Sequence, residues 1–502
     1  MSLTFRLRRL APAAALLPLL AACASAPTSV AAPAGECRAW FEAMDEEVRA
    51  AGVADPVTAR VDGYPHLRVD RLLESFGRQP MGDAEFAAWA ERLGRLDQQA
   101  RRAELANLPP AARERLAART PHRSAEVDWL LGHAAQCRER LAADDLASPP
   151  NRLALREAAR VPDDYLGWQR ALGLYPLTSV AFKAGIAAWH DDVAAVYAKP
   201  LDALPVRGRL LAYRPHGERT LSPPEAAAIL ARSRDAALGI PEPRFDDERA
   251  LLEAFAPVWI VDTQTDDDRI GDPVVREHPW PAIDTRIPVT YAHVSHVRFG
   301  GETLLQLNYV VWFPARPLTG EADLLGGPID GITWRVTLAR DGTALMADTM
   351  HNCGCYHLFY PSARLVPRER GGEWVEAAFA PQPLPPLAAG ERYALRVASG
   401  THYVQRVLAV PASGEGVRYA LDDYDRLRAI PLAGGGHRAL FRPDGIVPGS
   451  ERGERVLFWP MGVPEPGAMR ARGRHATAFV GRRHFDDPDL IERAFAPAGR
   501  EP

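Results

Sequence analysis

The chain has 502 residues, 47% of them hydrophobic and 25% charged, the balance of a folded globular protein. Its formal charge of −4 becomes −7 once residues 1–22, which carry three arginines and no acid, are set aside. That excludes the concentrated basic surface on which nucleic-acid binding depends, and a chain of this length buries a large core and divides into two or three domains.

The first element is a leader. Arg6, Arg8 and Arg9 precede thirteen apolar residues, Leu10 to Ala22, the layout of a secretory signal and too short to span a bilayer. At its end Leu20-Ala21-Ala22-Cys23 resembles the lipobox of bacterial lipoproteins. The resemblance implies cleavage of a signal peptide at residues 1–22, lipidation of Cys23, and attachment to a membrane through acyl chains that contribute about 0.8 kcal/mol per buried CH₂. Ala24 and Ser25 lack the aspartate that in proteobacterial lipoproteins favours the inner membrane, so the implied location is the periplasmic face of the outer membrane. Residues 23–35, rich in Ala, Pro, Ser and Thr, read as a tether.

A helical region is expected over residues 36–240. Cys37, Trp40, Phe41, Met44 and Val48 fall on one helical stripe, and Phe86, Trp89, Leu93 and Leu96 repeat the pattern. A further helix follows Ser124 as N-cap. In LSPPEAAAILARSRDAALG, Ser222 and Glu225 form a capping box, Pro223 occupies the first turn and Gly239 is the expected stop.

Beyond residue 250 the period changes to two, and residues 250–485 are expected to form an antiparallel, sandwich-like β domain, making the whole chain α+β. Leu305, Leu307, Tyr309, Val311 and Phe313 share one side of a strand. Ile332, Trp334, Val336 and Leu338 alternate with polar residues before the turn signal Asp341-Gly342, which predicts a hairpin. Further strands are expected at 391–397, 402–410, 416–420 and 455–459. The order FAPVWIVD, LNYVVWF, DGITWRVTL resembles β-sandwich proteins of the necrosis-inducing and vacuolar-sorting-62 type, over about a fifth of the chain and without that family's His-rich metal motif.

DTMHNCGCYHLFYP packs His351, Cys353, Cys355 and His357 into seven positions. After Cys23 four cysteines remain, and pairing within each half joins Cys37 to Cys137 and Cys353 to Cys355. The first bridge closes a loop of about 100 residues and adds up to about 4.7 kcal/mol in the chain-entropy model; the alternative is a reactive Cys137 thiol beside His133. The second bridge needs the backbone to bend at Gly354, because in a flat strand alternate residues lie about 6.5 to 7 Å apart. The same geometry limits a zinc site to two of the four side chains, with a third ligand from His293 or His296. A nucleophilic thiol is the third reading: Gly354-Cys355 before His357 resembles the catalytic Gly-Cys of periplasmic L,D-transpeptidases, although Asn352-Cys353 and His357 depart from that motif.

Three other constellations bear on function. TDDDRIGDPVVRE places Asp266, Asp268, Asp272 and Glu277 at calcium-loop spacing, with Ile270 failing the pattern. His475, His484, Asp486 and Asp487 lie among arginines as an anion- or sugar-binding edge, and Trp280, Trp312 and Trp459 are candidates for a carbohydrate platform. Lys183 and Lys199 are the only lysines, which reads as coding bias. The sequence thus predicts an envelope lipoprotein that binds an envelope protein or polymer, or serves assembly; the alternative is a metal- or thiol-dependent hydrolase or transferase acting through the Cys/His cluster.

Overall fold

The computed structural model describes residues 34–275, 280–368 and 375–499. The leader, Cys23 and the tether as far as residue 33 lie outside them, as does Glu277.

The helical region begins with α1 (Ala34–Ala51), so its first turn takes the last two residues of the expected tether. Cys37, Trp40, Phe41, Met44 and Val48 are all buried, as their stripe requires. A short hairpin over residues 59–69 leads to α2 (Arg71–Gly77), α3 (Asp83–Asn107), α4 (Pro110–Ala117) and α5 (Val127–Asp145). The last starts three residues beyond Ser124, whose hydroxyl accepts from the Glu126 N–H and does not cap the helix. Cys37 and Cys137 are bonded, joining α1 to α5 within one apolar cluster. Bonding leaves Cys137 no free thiol, so the reactive-thiol alternative beside His133 does not hold. Under the hairpin, Arg68 and Arg101 share Asp97 and Glu104, all four buried, which compensates each charge with an opposite one.

After α6 (Pro149–Ala158), α7 (Gly167–Leu172) and α8 (Tyr175–Tyr197), α9 (Pro223–Arg232) has the expected Ser222–Glu225 capping box. It stops seven residues before Gly239. Asp235 accepts the N–H groups of Ala237 and Leu238 at 2.7 and 3.3 Å, a local turn that competes with the helix. α10 (Phe245–Phe255) follows.

The class is α+β, and the main part of its β structure is one curled mixed sheet of ten strands, accompanied by small two-stranded pairs. In chain order the strands are β1 (Arg209–Pro215), β2 (Val258–Thr263), β3 (Val289–Phe299), β4 (Glu302–Arg316), β5 (Gly327–Leu338), β6 (Ala344–His351), β7 (Leu358–Pro361), β8 (Glu391–Val397), β9 (Val404–Pro411) and β10 (Val417–Asp423). In space they run β7-β6-β5-β4-β3-β10-β1-β2-β8-β9. β10 is the joint: its first half pairs parallel with β1 and its second half parallel with β3. β2 and β8 are also parallel, so the pairing is not wholly antiparallel as expected. β1 falls within the stretch read as helical, and residues 455–458, expected as a strand, form a helical turn.

β4 and β5 pair Tyr309 with Trp334, Val311 with Ile332 and Leu307 with Val336. These side chains meet Trp259, Tyr393 and Leu395 from the other half of the sheet in one core, and the rings of Trp334 and Tyr393 lie 5.7 Å apart. The opposite face of the same strands carries Asn308 beside Arg335 and Gln306 beside Thr337. Period two thus gives the sheet one dry face and one polar face.

Breaking the Cys37–Cys137 bond releases a loop of 100 residues. Cys37→Ala with Cys137→Ala is expected to lower unfolding free energy by about 2–4 kcal/mol, read by urea titration against the oxidised chain.

Candidate functional site

The turn after β6 does not bring its four sulfur and imidazole groups together. Gly354 has φ +90°, and a Cβ there would lie 2.5 Å from the Ala476 carbonyl oxygen, so glycine is required. The bend closes with the His351 N–H on the Cys355 carbonyl at 3.0 Å. Neighbouring side chains are thereby sent to different partners. Among the described residues no three His, Cys, Asp or Glu side chains form a group that holds a metal, so the zinc reading of His351, Cys353, Cys355 and His357 has no converging donor set. Cys353 and Cys355 are unbonded, with the Cys355 N–H donating to the Cys353 sulfur at 3.4 Å. The touching Cys353 sulfur, together with burial, pushes the Cys355 thiol well above its ordinary range, which opposes the thiolate a nucleophile needs.

His351 instead begins a buried row. Its Nδ1 lies 3.4 Å from Asp330, whose other oxygen is 2.8 Å from His402 Nδ1; His402 Nε2 is in turn 3.4 Å from Asp268. His402 stacks on Phe313 with ring centroids 4.0 Å apart. Burial opposes its cation, but Asp268 and Asp330 outweigh that and raise its pKa. Asp268 also accepts the N–H groups of Gln264 and Gly400 at 2.9 and 2.6 Å. Asp266 pairs with Arg269, and Asp272 accepts from the Tyr291 hydroxyl and Arg426. The described members of the expected calcium loop are therefore separated, each carboxylate taken by protein donors.

His357 donates from Nε2 to Asp348 at 2.8 Å, and Asp348 takes Arg335 through two bonds of 2.9 and 2.5 Å. Arg335 lies 3.5 Å above the Phe485 ring. These groups form the far end of the polar sheet face, which floors a cleft of about 900 Å³. The helical region, α10 and the segments 421–428 and 470–475 wall it.

Several of the cleft's charges are paired. On its floor Asn308 donates to Ser295 at 2.9 Å, and Thr333 to Asn352 at 2.8 Å. On one wall Asp425 receives Arg472 at 2.6 Å and Arg428 at 2.9 Å, while Arg428 clasps Asp55 at 2.8 and 3.0 Å. Glu248, in the first turn of α10, borders the same space with no side-chain hydrogen bond or ion pair among the described residues. Burial, then the Asp423 carboxylate, pushes its pKa up to about 6. His293 also faces the cleft, its ring 4.9 Å from Tyr424 and its Nδ1 buried without a partner; burial, then Arg472, holds it well below the ordinary histidine range. His296 borders the cleft too, bound to the Pro241 carbonyl at 2.7 Å. Phe245 stands at the rim, 79% exposed.

Of the C-terminal cluster, His475 and Asp486 line the cleft, whereas His484 sits between Asp487 at 3.3 Å and Asp163 at 3.4 Å. Trp312 is fully buried while Trp280 and Trp459 are exposed, so the three share no platform. Sequence reasoning missed Glu248, Asp330, His402, Asp425 and Arg472. Only the acid-and-arginine run LDDYDRLR marked any of them, and it reads equally as surface. Comparison with known protein families, characterised proteins and solved structures finds no match, so function is read from this geometry.

His484 and His402 both have folded pKa values above their ordinary one, His484 at about 9 because Asp163 and Asp487 outweigh the burial penalty. Their contribution is complete below pH 6.5 and is lost as pH rises through the folded values. The urea midpoint is expected to fall between pH 7 and pH 9, with a shallower fall in His484→Gln. Asp330→Asn, which strips His402 and His351 of their shared carboxylate, is expected to cost about 3–5 kcal/mol in the same assay.

Proposed function

We propose that the protein is a lipoprotein of the bacterial outer membrane, anchored on the periplasmic face through Cys23, which binds a glycan-bearing envelope polymer in the cleft. The observation that carries the ligand class is the pairing of three of the cleft's arginines. Arg335, Arg428 and Arg472 each meet a carboxylate, so they present directed donors and acceptors with little net field. That environment suits many hydroxyl and amide groups better than a concentrated charge. Exposed Phe245 at the rim adds an apolar ring face on which a sugar ring can lie. The volume accommodates several linked units of such a chain.

A second reading rests on Glu248 and His293. A carboxyl titrating near 6 and a neutral imidazole bordering one cleft are the groups general acid–base hydrolysis uses. It places any chemistry in the cleft and not at the Cys/His turn.

Calorimetric titration with soluble fragments of envelope glycan tests both. Phe245→Ala is expected to weaken binding about five- to tenfold, in line with the roughly 1 kcal/mol worth of an aromatic contact, because its exposed ring supports no core. Unchanged affinity in that variant, or no binding by the parent chain, overturns the ligand assignment. For hydrolysis, the expected result is product formation that depends on a group titrating near pH 6 and is lost in Glu248→Gln; no products from the parent chain reject it.

A further inference from the structure

The α7–α8 corner breaks the usual rule that a surface helix turns its polar side to water. Leu177, Val180, Ala181, Ala184 and Ala188 recur at helical spacing along α8, and all are exposed. Leu172 and Leu177 are each 71% exposed, Leu174 61% and Trp168 59%. This is not a stray patch, because a second element extends it. The turn at residues 455–461 packs beneath the corner through Phe458, whose ring lies 5.2 Å from Phe182, and brings Val456 and Leu457 to the surface at 69% and 56% exposure.

The corner is firmly held, so its exposure is not that of a loose end. Arg170 is tied to the carbonyls of Met461 at 2.8 Å and Gly481 at 2.7 Å, and the Leu166 N–H donates to the Gly462 carbonyl at 2.7 Å. Leu174, at φ +48°, turns α7 sharply into α8, and Gly173 sits too close to Pro460 for any side chain. From Tyr165 to His190 there is no Asp or Glu, while Arg170 and Lys183 are present, in a chain with 64 acidic residues; the apolar stripe of α8 ends at the exposed Asp191 and Asp192. An anionic surface therefore meets no like charge between Tyr165 and His190.

We propose that this corner docks on the lipid bilayer that anchors the protein, with the N-terminal part of α8, before Asp191, lying in the plane of the headgroups and its apolar stripe in the acyl boundary. The inference rests on the lipid-anchor reading. Eleven residue steps separate Cys23 from Ala34, a reach of at most about 40 Å, so the folded body of an anchored chain is always within range of that surface. Exposed leucines beside Trp168 and Trp459 match the composition of an interfacial segment, in which aromatic rings sit at headgroup level. No helix among the described residues is long and apolar enough to cross a membrane, and the role assigned to α8 is to lie on one.

The test uses the mature chain from Ala24 onward, without the acylated cysteine, which keeps every described element. In flotation with phosphatidylethanolamine vesicles, with and without phosphatidylglycerol, the parent chain is expected to rise with lipid in both, and more with the anionic lipid. Leu177→Asp with Val180→Asp is expected to reduce the floated fraction at least fivefold at unchanged circular dichroism and melting temperature. One helical turn further along the stripe, Ala184→Asp is a milder second variant and is expected to lose about half. A parent chain that stays at the bottom, variants that float like it, or a parent dimer that the substitutions convert to monomer in light scattering overturns the proposal, the last because a second copy then covers the stripe. Acyl mass on Cys23 of the chain recovered from cells tests the anchor independently, so failure of the anchor and failure of the docking surface give different results.

Discussion

The structure depends on Arg428. One guanidinium holds Asp55, in the loop between α1 and the hairpin of the helical region, and Asp425, just beyond the end of β10. Along the chain Asp55 lies 373 residues from Arg428 and Asp425 three. Asp55 and Arg428 are both buried, so neither can be given to water without leaving an uncompensated charge behind. The pair therefore sets how far the helical region stands from the polar face of the sheet, and the cleft is the space that remains. Lysine would not serve equally, since only a planar fork meets two carboxylates with directed bonds from one side chain. The scarcity of lysine that reads as a coding habit thus coexists with a structure that uses arginine geometry throughout its interior: Arg68, Arg101, Arg335 and Arg392 are among its most deeply buried side chains.

The sheet makes this economical. β4 and β5 alternate strictly, and their dry face joins both halves of the curled sheet into one core. Their other face then has to be polar, and it is satisfied internally by Arg335–Asp348, Thr333–Asn352 and Asn308–Ser295. Buried polar groups that already hold one another form a rigid floor whose geometry exists before any ligand arrives. Around it stand His293 on β3, with its Nδ1 buried without a partner, and the half-buried Glu248 on α10.

Local periodicity was legible where burial is one-sided. The α1 stripe, the α9 capping box, the Asp341-Gly342 hairpin and the alternation of β4 all follow from side-chain spacing, and so does the Cys37–Cys137 pair once both residues lie on buried stripes. What could not be read was set by contacts distant in sequence. The parallel pairing of β10 with two strands needs crossovers that no local pattern encodes. The cleft gathers residues from 57 to 486, so no window of sequence contains it. The Cys/His turn drew notice because its residues are chemically loud, yet a single backbone bend at Gly354 disperses them. His402, alone in its segment, looked ordinary and became the centre of a four-member row because Asp268 and Asp330 come from elsewhere.

The Cys37–Cys137 bond also orders events in time. Its sulfur atoms lie inside the closed contact between α1 and α5, each residue at most 2% exposed. An enzyme or small thiol cannot reach them once the helices have docked. Pairing must therefore be completed while that half of the chain is still open, and any later exchange requires the two helices to separate. Maturation of the helical half is accordingly a race between cross-linking and closure, and a chain that closes first seals two thiols into a core shaped for one covalent bridge.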